Sequence, residues 1–104
     1  MYRDQKITVV IPCLNEEQGI EKVMQRMPAY VDEAIVVDNG STDRTAEVAR
    51  SYGALIIQEA RRGYGRAYKS GFAAATGDII VSPAQWRAQR AELLARGGQL
   101  GVWL

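Results

Sequence analysis

Apolar positions along the chain follow two alternating rhythms. Residues 6–12, "KITVVIP", form a continuous β-branched run, which predicts a strand buried on both faces. In "NEEQGIEKVMQRMP" the apolar residues Ile20, Val23, Met24 and Met27 recur at i, i+3, i+4 and i+7, the spacing of a helix with one buried face. Asn15 is placed to cap that helix, Glu16 and Glu17 suit the positive end of its dipole, and Pro28 stops it. The cycle then repeats. Residues 33–37, "EAIVV", predict a second strand, and "TDRTAEVARSYG" a helix capped by Ser41 or Thr42 and closed at Gly53. Residues 54–58, "ALIIQ", predict a third strand. "GYGRAYKSGFAAATG" predicts a third helix whose packing face is small: Ala67, Gly71, Ala74 and Ala75. Residues 78–81, "DIIV", close the series as a fourth strand.

Strands alternating with helices over short connections imply right-handed βαβ units and an α/β fold. The expected sheet is parallel, about four strands in the order 3-2-1-4, with helices on both faces. Reversal of strand order between strands 1 and 4 opens a crevice at the carboxyl ends of the strands, where such sheets bind ligands. Residues 12–16, 38–43 and 61–66 fall at that edge.

Composition narrows the chemistry. With 104 residues the chain is one small domain, and 47% apolar with 24% charged residues is globular composition. A net charge of +1 and a single Arg61-Arg62 pair make no basic stripe, so no nucleic-acid partner is expected. One cysteine, Cys13, and no histidine exclude a disulfide within one chain, zinc sites built on Cys and His, and His-based nucleophilic triads. A reducing, cytoplasmic setting fits this usage. The apolar stretch at the N-terminus is too short for a signal peptide or a membrane span.

Asp38 follows the second strand at the crevice. An ionised carboxylate accepts hydrogen bonds and donates none, so it suits a partner with exposed N–H groups, such as the imide of uracil or the amide edge of guanine. The alternative is that it accepts from amides of its own turn. Asn39-Gly40 permits positive φ, either to bring amides to a ligand or simply to turn the chain. Asp43 and Glu16 are each either helix-start charges or acceptors, Glu16 for ribose hydroxyls. "RRGYGRAYKSG" fails G-x-G-x-x-G because Tyr68 stands at the third glycine, and it lacks P-loop spacing. It remains a glycine-rich helix entry beside Arg66.

Three stretches, "VVIPCLNEEQGI", "IVVDNGSTDRT" and "GYGRAYKSGFAAATGDIIV", together resemble family 2 glycosyltransferases over about Lys6 to Val81. The likeness is greatest to the branch of polyprenyl- or dolichyl-phosphate mannosyl- and glucosyltransferases. It implies a Rossmann-like GT-A nucleotide-binding half that takes a UDP- or GDP-linked sugar, with a lipid phosphate as acceptor. Carried over, Pro12, Leu14 and Glu16 line the nucleoside pocket, Asp38 meets the base and Gly65 stands in the loop beside it. Asn15, Gly40 and Ser41 shape the turns.

The chain departs from the family where an Asp-x-Asp motif is expected to hold Mg²⁺ or Mn²⁺. Ala84 and Trp86 stand at those positions, and Glu92 is the single acid after Asp78. Residues 1–81 are therefore expected to form the donor-binding half-domain. Residues 82–104 are expected to be a divergent, partly helical tail produced by truncation, frameshift or rearrangement. With no metal ligands, acceptor half or catalytic residue assigned, the chain is expected to bind a donor rather than turn it over alone. The alternative is an inactive nucleotide-binding module or a non-functional fragment.

Overall fold

The computed structural model describes residues 4–81. The elements run β1 (Ile7–Cys13), α1 (Glu17–Gln25), β2 (Glu33–Asp38), α2 (Thr45–Ser51), β3 (Leu55–Gln58), α3 (Tyr64–Ala74) and β4 (Ile79–Val81). The four strands form one parallel sheet in the order β3-β2-β1-β4, as the alternation predicts. The tail, with the positions expected for the metal motif, lies outside the described residues.

Side-chain alternation along β1 sorts the core into two layers. Ile7, Val9, Ile11 and Cys13 pack with Ile20 and Met24 of α1 and Ala49 of α2 on one face. Val10 packs with Ile35, Val37 and Ala67 of α3 on the other. Buried valines and isoleucines each contribute about 1.5–3 kcal/mol, and β1, central in the sheet, is buried almost throughout. Gly71 lets α3 lie close on Val10 and Val37, where an added side chain has no room. β3 differs from the inner strands: it is an edge strand among the described residues, and Leu55 is 51% exposed.

Register aligns the carboxyl ends of three strands. Cys13 pairs with Asp38, and Asp38 with Gln58, so these residues share one line across the sheet. The opposite edge is closed by its own polar contacts. Asp78 accepts from the Lys6 N–H at 2.8 Å, and Glu33 accepts from Thr8 and Thr76 and forms an ion pair with the Lys6 ammonium at 3.8 Å. Asp78 therefore stands away from the carboxyl-end crevice.

Candidate functional site

The loops after β1 and β2 fasten each other, and this changes the expected helix caps. Asn15 holds a left-handed backbone, φ 51°, and its side chain reaches across rather than capping α1. Its Oδ1 accepts from the Thr42 N–H at 2.8 Å, while its own N–H donates to Ser41 Oγ at 2.9 Å. Glu16 N–H donates to Thr45 Oγ1 at 2.9 Å, and Glu17 N–H to Asp43 at 3.3 Å. In return the Arg44 N–H donates to Glu17 at 3.2 Å. The residues preceding the helices are Glu16 and Arg44, neither with a capping side chain of its own. The start of α1 is satisfied from the loop before α2, while α2 takes Glu17 at the Arg44 N–H and Asp43 of its own loop at the Thr45 N–H, 3.0 Å away. Asp43 also accepts from the Thr45 hydroxyl, which holds its carboxyl below the usual range.

Beside this clasp lies an open depression of about 380 Å³ lined by Asn15, Glu16, Glu17, Gln18, Gly19 and Asp43. A smaller cavity of about 150 Å³ is lined by Leu14, Asn39, Arg62 and Gly63.

Asp38 is 4% exposed. Its Oδ1 accepts from the Ser41 N–H at 2.9 Å, an Asx-type bond within its own turn. Its Oδ2 accepts from Gln58 Nε2 at a longer 3.3 Å. One oxygen is thus held by main chain and the other by the side-chain amide of Gln58, an exposed residue.

Asn39 carries a role that local turn chemistry did not reveal. It is 7% exposed, and its Nδ2 donates to the carbonyls of Glu59 and Arg61, each at 2.7 Å. Its Oδ1 accepts from the Gly63 N–H at 3.3 Å. One side-chain amide therefore fixes the whole 59–63 loop. Of the Asn39-Gly40 pair, only Gly40 takes positive φ, at 96°. Glu59, also missed, is 7% exposed and accepts from Arg61 Nη2 at 2.7 Å and Ser70 Oγ at 2.9 Å. The Arg61 guanidinium, its backbone N–H and the Ser70 hydroxyl hold the Glu59 carboxyl down at about 2. An acid directly after a strand, two residues before an arginine, was the available signal.

The other expected residues distribute as follows. Pro12 is half-buried near the end of β1, and Leu14 reaches the smaller cavity. Glu16 is exposed at the larger depression. Gly65 is exposed in the first turn of α3, whereas the glycine on the cavity wall is Gly63, with φ 116°. Asn15, Gly40 and Ser41 do build the turns. Beneath the rim lies Cys13, whose thiol is pushed up to about 12 by burial and by the charges of Glu16, Asp38 and Asp43.

Residues 8–82 match the description Glycosyl transferase family 2. An uncharacterized glycosyltransferase of Mycobacterium tuberculosis is 50% identical over 75 residues, covering 72% of this chain and 34% of that protein. The chain thus spans about a third of the length of the first curated relatives it matches. Among solved structures, glucosyl-3-phosphoglycerate synthase of M. tuberculosis, in complex with Mn²⁺, UDP-glucose and glycerol 3-phosphate, aligns with a TM-score of 0.70 at 32% identity. That alignment covers 90% of this chain and 41% of the synthase. The mannosyltransferase PcManGT of Pyrobaculum calidifontis, in complex with GDP-Man and Mn²⁺, aligns with a TM-score of 0.67 at 30% identity, covering 76% and 27% of the two chains. These proteins do not single out the polyprenyl- or dolichyl-phosphate branch. With its parallel 3-2-1-4 sheet and a match over residues 8–82, the chain belongs to glycosyl transferase family 2 and has the Rossmann-like GT-A fold.

Proposed function

We propose that this chain binds the nucleoside diphosphate of an activated sugar at the carboxyl rim of its sheet, as the donor half of a glycosyltransferase. The observation that carries this reading is the Asp38 carboxylate, buried at the rim with Oδ2 engaged only by the Gln58 amide among the described residues. A base presenting an N–H, uracil or guanine, replaces that amide. Leu14 supplies an apolar wall for the ring, and Glu16 accepts from ribose hydroxyls. Pro12 and Gly65 flank the pocket, while Asn15, Gly40 and Ser41 hold the loops in register.

The mycobacterial synthase has been solved with Mn²⁺ and with Mg²⁺. Among the described residues of this chain no three His, Cys, Asp or Glu side chains cluster to hold a cation. They do not fit a metal, so donor recognition is assigned to them and no step through a cation is. Among the described residues no helix is long and apolar enough to cross a membrane. A cytoplasmic setting fits the lone buried thiol. For the acceptor, a lipid phosphate and glycerol 3-phosphate are the two candidates to compare.

Calorimetric titration of UDP and GDP into the wild type and Asp38→Asn tests the reading. Asparagine can still accept from Ser41, while the charged acceptor for the base is removed. A hydrogen bond to a charged group contributes roughly 1.5–3 kcal/mol, so affinity for the preferred nucleotide should fall about ten- to a hundredfold. Equal affinities would end the assignment.

A further inference from the structure

We propose that Arg62 is a base-binding residue of the nucleotide site, laying its guanidinium against the ring on the face opposite Leu14. This rests on the donor-site reading above and adds to it a residue that neither the motifs nor the resemblance supplied.

Two adjacent arginines have different fates. Arg61 is committed to Glu59 through Nη2 at 2.7 Å and Nε at 3.2 Å, and Glu59 is in turn tied to Ser70 of α3. Arg62 has no hydrogen-bond or ion-pair partner among the described residues, and it lines the 150 Å³ cavity with Leu14, Asn39 and Gly63. Its place is fixed from both sides. Asn39 binds the Arg61 carbonyl before it and the Gly63 N–H after it. An exposed side chain is therefore mounted on an anchored backbone.

The cavity's shape and chemistry select a flat ring over a phosphate. One wall is the aliphatic Leu14 and another carries a planar cation, which stacks on π faces. A phosphate would need several converging donors, and this cavity offers one cation, Arg62, beside an Asn39 amide already engaged with the Glu59 and Arg61 carbonyls. Asp38 itself lines neither depression but directly precedes Asn39 of the cavity wall, and its carboxylate is assigned the edge of the base.

The test compares binding of uridine with UDP, and guanosine with GDP, to the wild type, Arg62→Ala and Arg62→Lys. Nucleosides are followed by NMR and nucleotides by calorimetry. Stacking on a partly desolvated cation predicts a five- to thirtyfold loss in Arg62→Ala, about equal for a nucleoside and its diphosphate. Lysine, charged but not planar, should restore little of it. A loss confined to the diphosphates, or full rescue by lysine, would make Arg62 a phosphate contact and overturn the proposal. Wild-type binding with no effect of Arg62→Ala overturns this proposal alone. No binding of any of the four compounds to the wild type overturns the donor-site reading and this proposal with it. Because Arg62 is exposed, an unchanged melting temperature is expected in both variants.

Discussion

Gly71→Ala and Gly65→Ala make the same chemical change on one helix and should move stability in opposite directions. Helix propensity favours alanine over glycine by about 1 kcal/mol in a helix interior. An added Cβ at Gly65 meets nothing within 4 Å. At Gly71 it falls closer than 3.0 Å to Val10 Cγ1 and lies 3.1 Å from Val37 Cγ2. Carbon atoms rest about 3.5–4.0 Å apart, so α3 has to retreat by roughly 1 Å or the valines have to turn. Both valines are fully buried on adjacent strands, and β-branched side chains are stiff at χ1. Overpacking of this kind costs about 1–3 kcal/mol, and the retreat also loosens Ala67 against the sheet. Against two fully buried, β-branched neighbours the cost falls in the upper part of that range, about 2–3 kcal/mol, so after the propensity gain of about 1 kcal/mol the net loss is about 1–2 kcal/mol. At about 4–8 °C per kcal/mol for a domain of this size, Gly71→Ala should melt about 5–15 °C below the wild type. Gly65→Ala should melt at or slightly above it. Thermal melts by far-UV circular dichroism decide the matter. A Gly71→Ala protein that melts at or above the wild type refutes the packing argument. The same retreat shifts the Gly63 wall, so nucleotide affinity should fall in Gly71→Ala.

Two further outcomes follow from ionisation. The folded Glu59 carboxyl lies at about 2 against its ordinary 4.5, so its contribution is complete above about 4.5 and disappears as pH falls toward about 2. Melts over a pH series should show the wild type losing stability across that window more steeply than Glu59→Gln; parallel curves would count against the Arg61 pairing. The Cys13 thiol, pushed up to about 12 chiefly by burial, should react with thiol reagents near neutral pH only as fast as the chain opens. Bound nucleotide should slow that labelling further. Rapid labelling of the native chain would contradict its burial.

Most of the fold was legible because its signals are local. β-branched runs marked the strands, and helical spacing placed Ile20 and Met24 on the buried face of α1. The small face expected of α3 is real: Ala67 and Gly71 are buried against the sheet. The alternation and short connections implied the parallel sheet, and the expected order 3-2-1-4 is the one observed. Helix starts were less legible, for a definite reason. Asn15 and Ser41 have capping chemistry, yet each serves the other's loop, 26 residues away in sequence. A local window sees the residue type and not the recipient.

The same limit explains Asn39. In sequence it sits before a glycine and reads as a turn residue; in the fold its amide holds groups of Glu59, Arg61 and Gly63, 20 to 24 residues distant. Its burial separates scaffold from ligand contact by subtraction. Among polar side chains at the rim, Asn39, Asp43, Glu59 and Arg61 are engaged within the chain. At the rim, Arg62, Arg66 and the Glu16 carboxylate have no partner among the described residues, and Oδ2 of Asp38 is held by the Gln58 amide alone, with Leu14 as the apolar member. Cations, two acceptors and a hydrophobic wall form a set that suits a ribonucleoside, with its flat ring, imide or amide N–H and vicinal hydroxyls. If Arg62 and Asp38 act on one ring, their effects on nucleotide affinity must be coupled. A double-mutant cycle of Arg62→Ala with Asp38→Asn should then depart from additivity by at least about 0.5 kcal/mol, whereas strict additivity would place the two residues in separate sites.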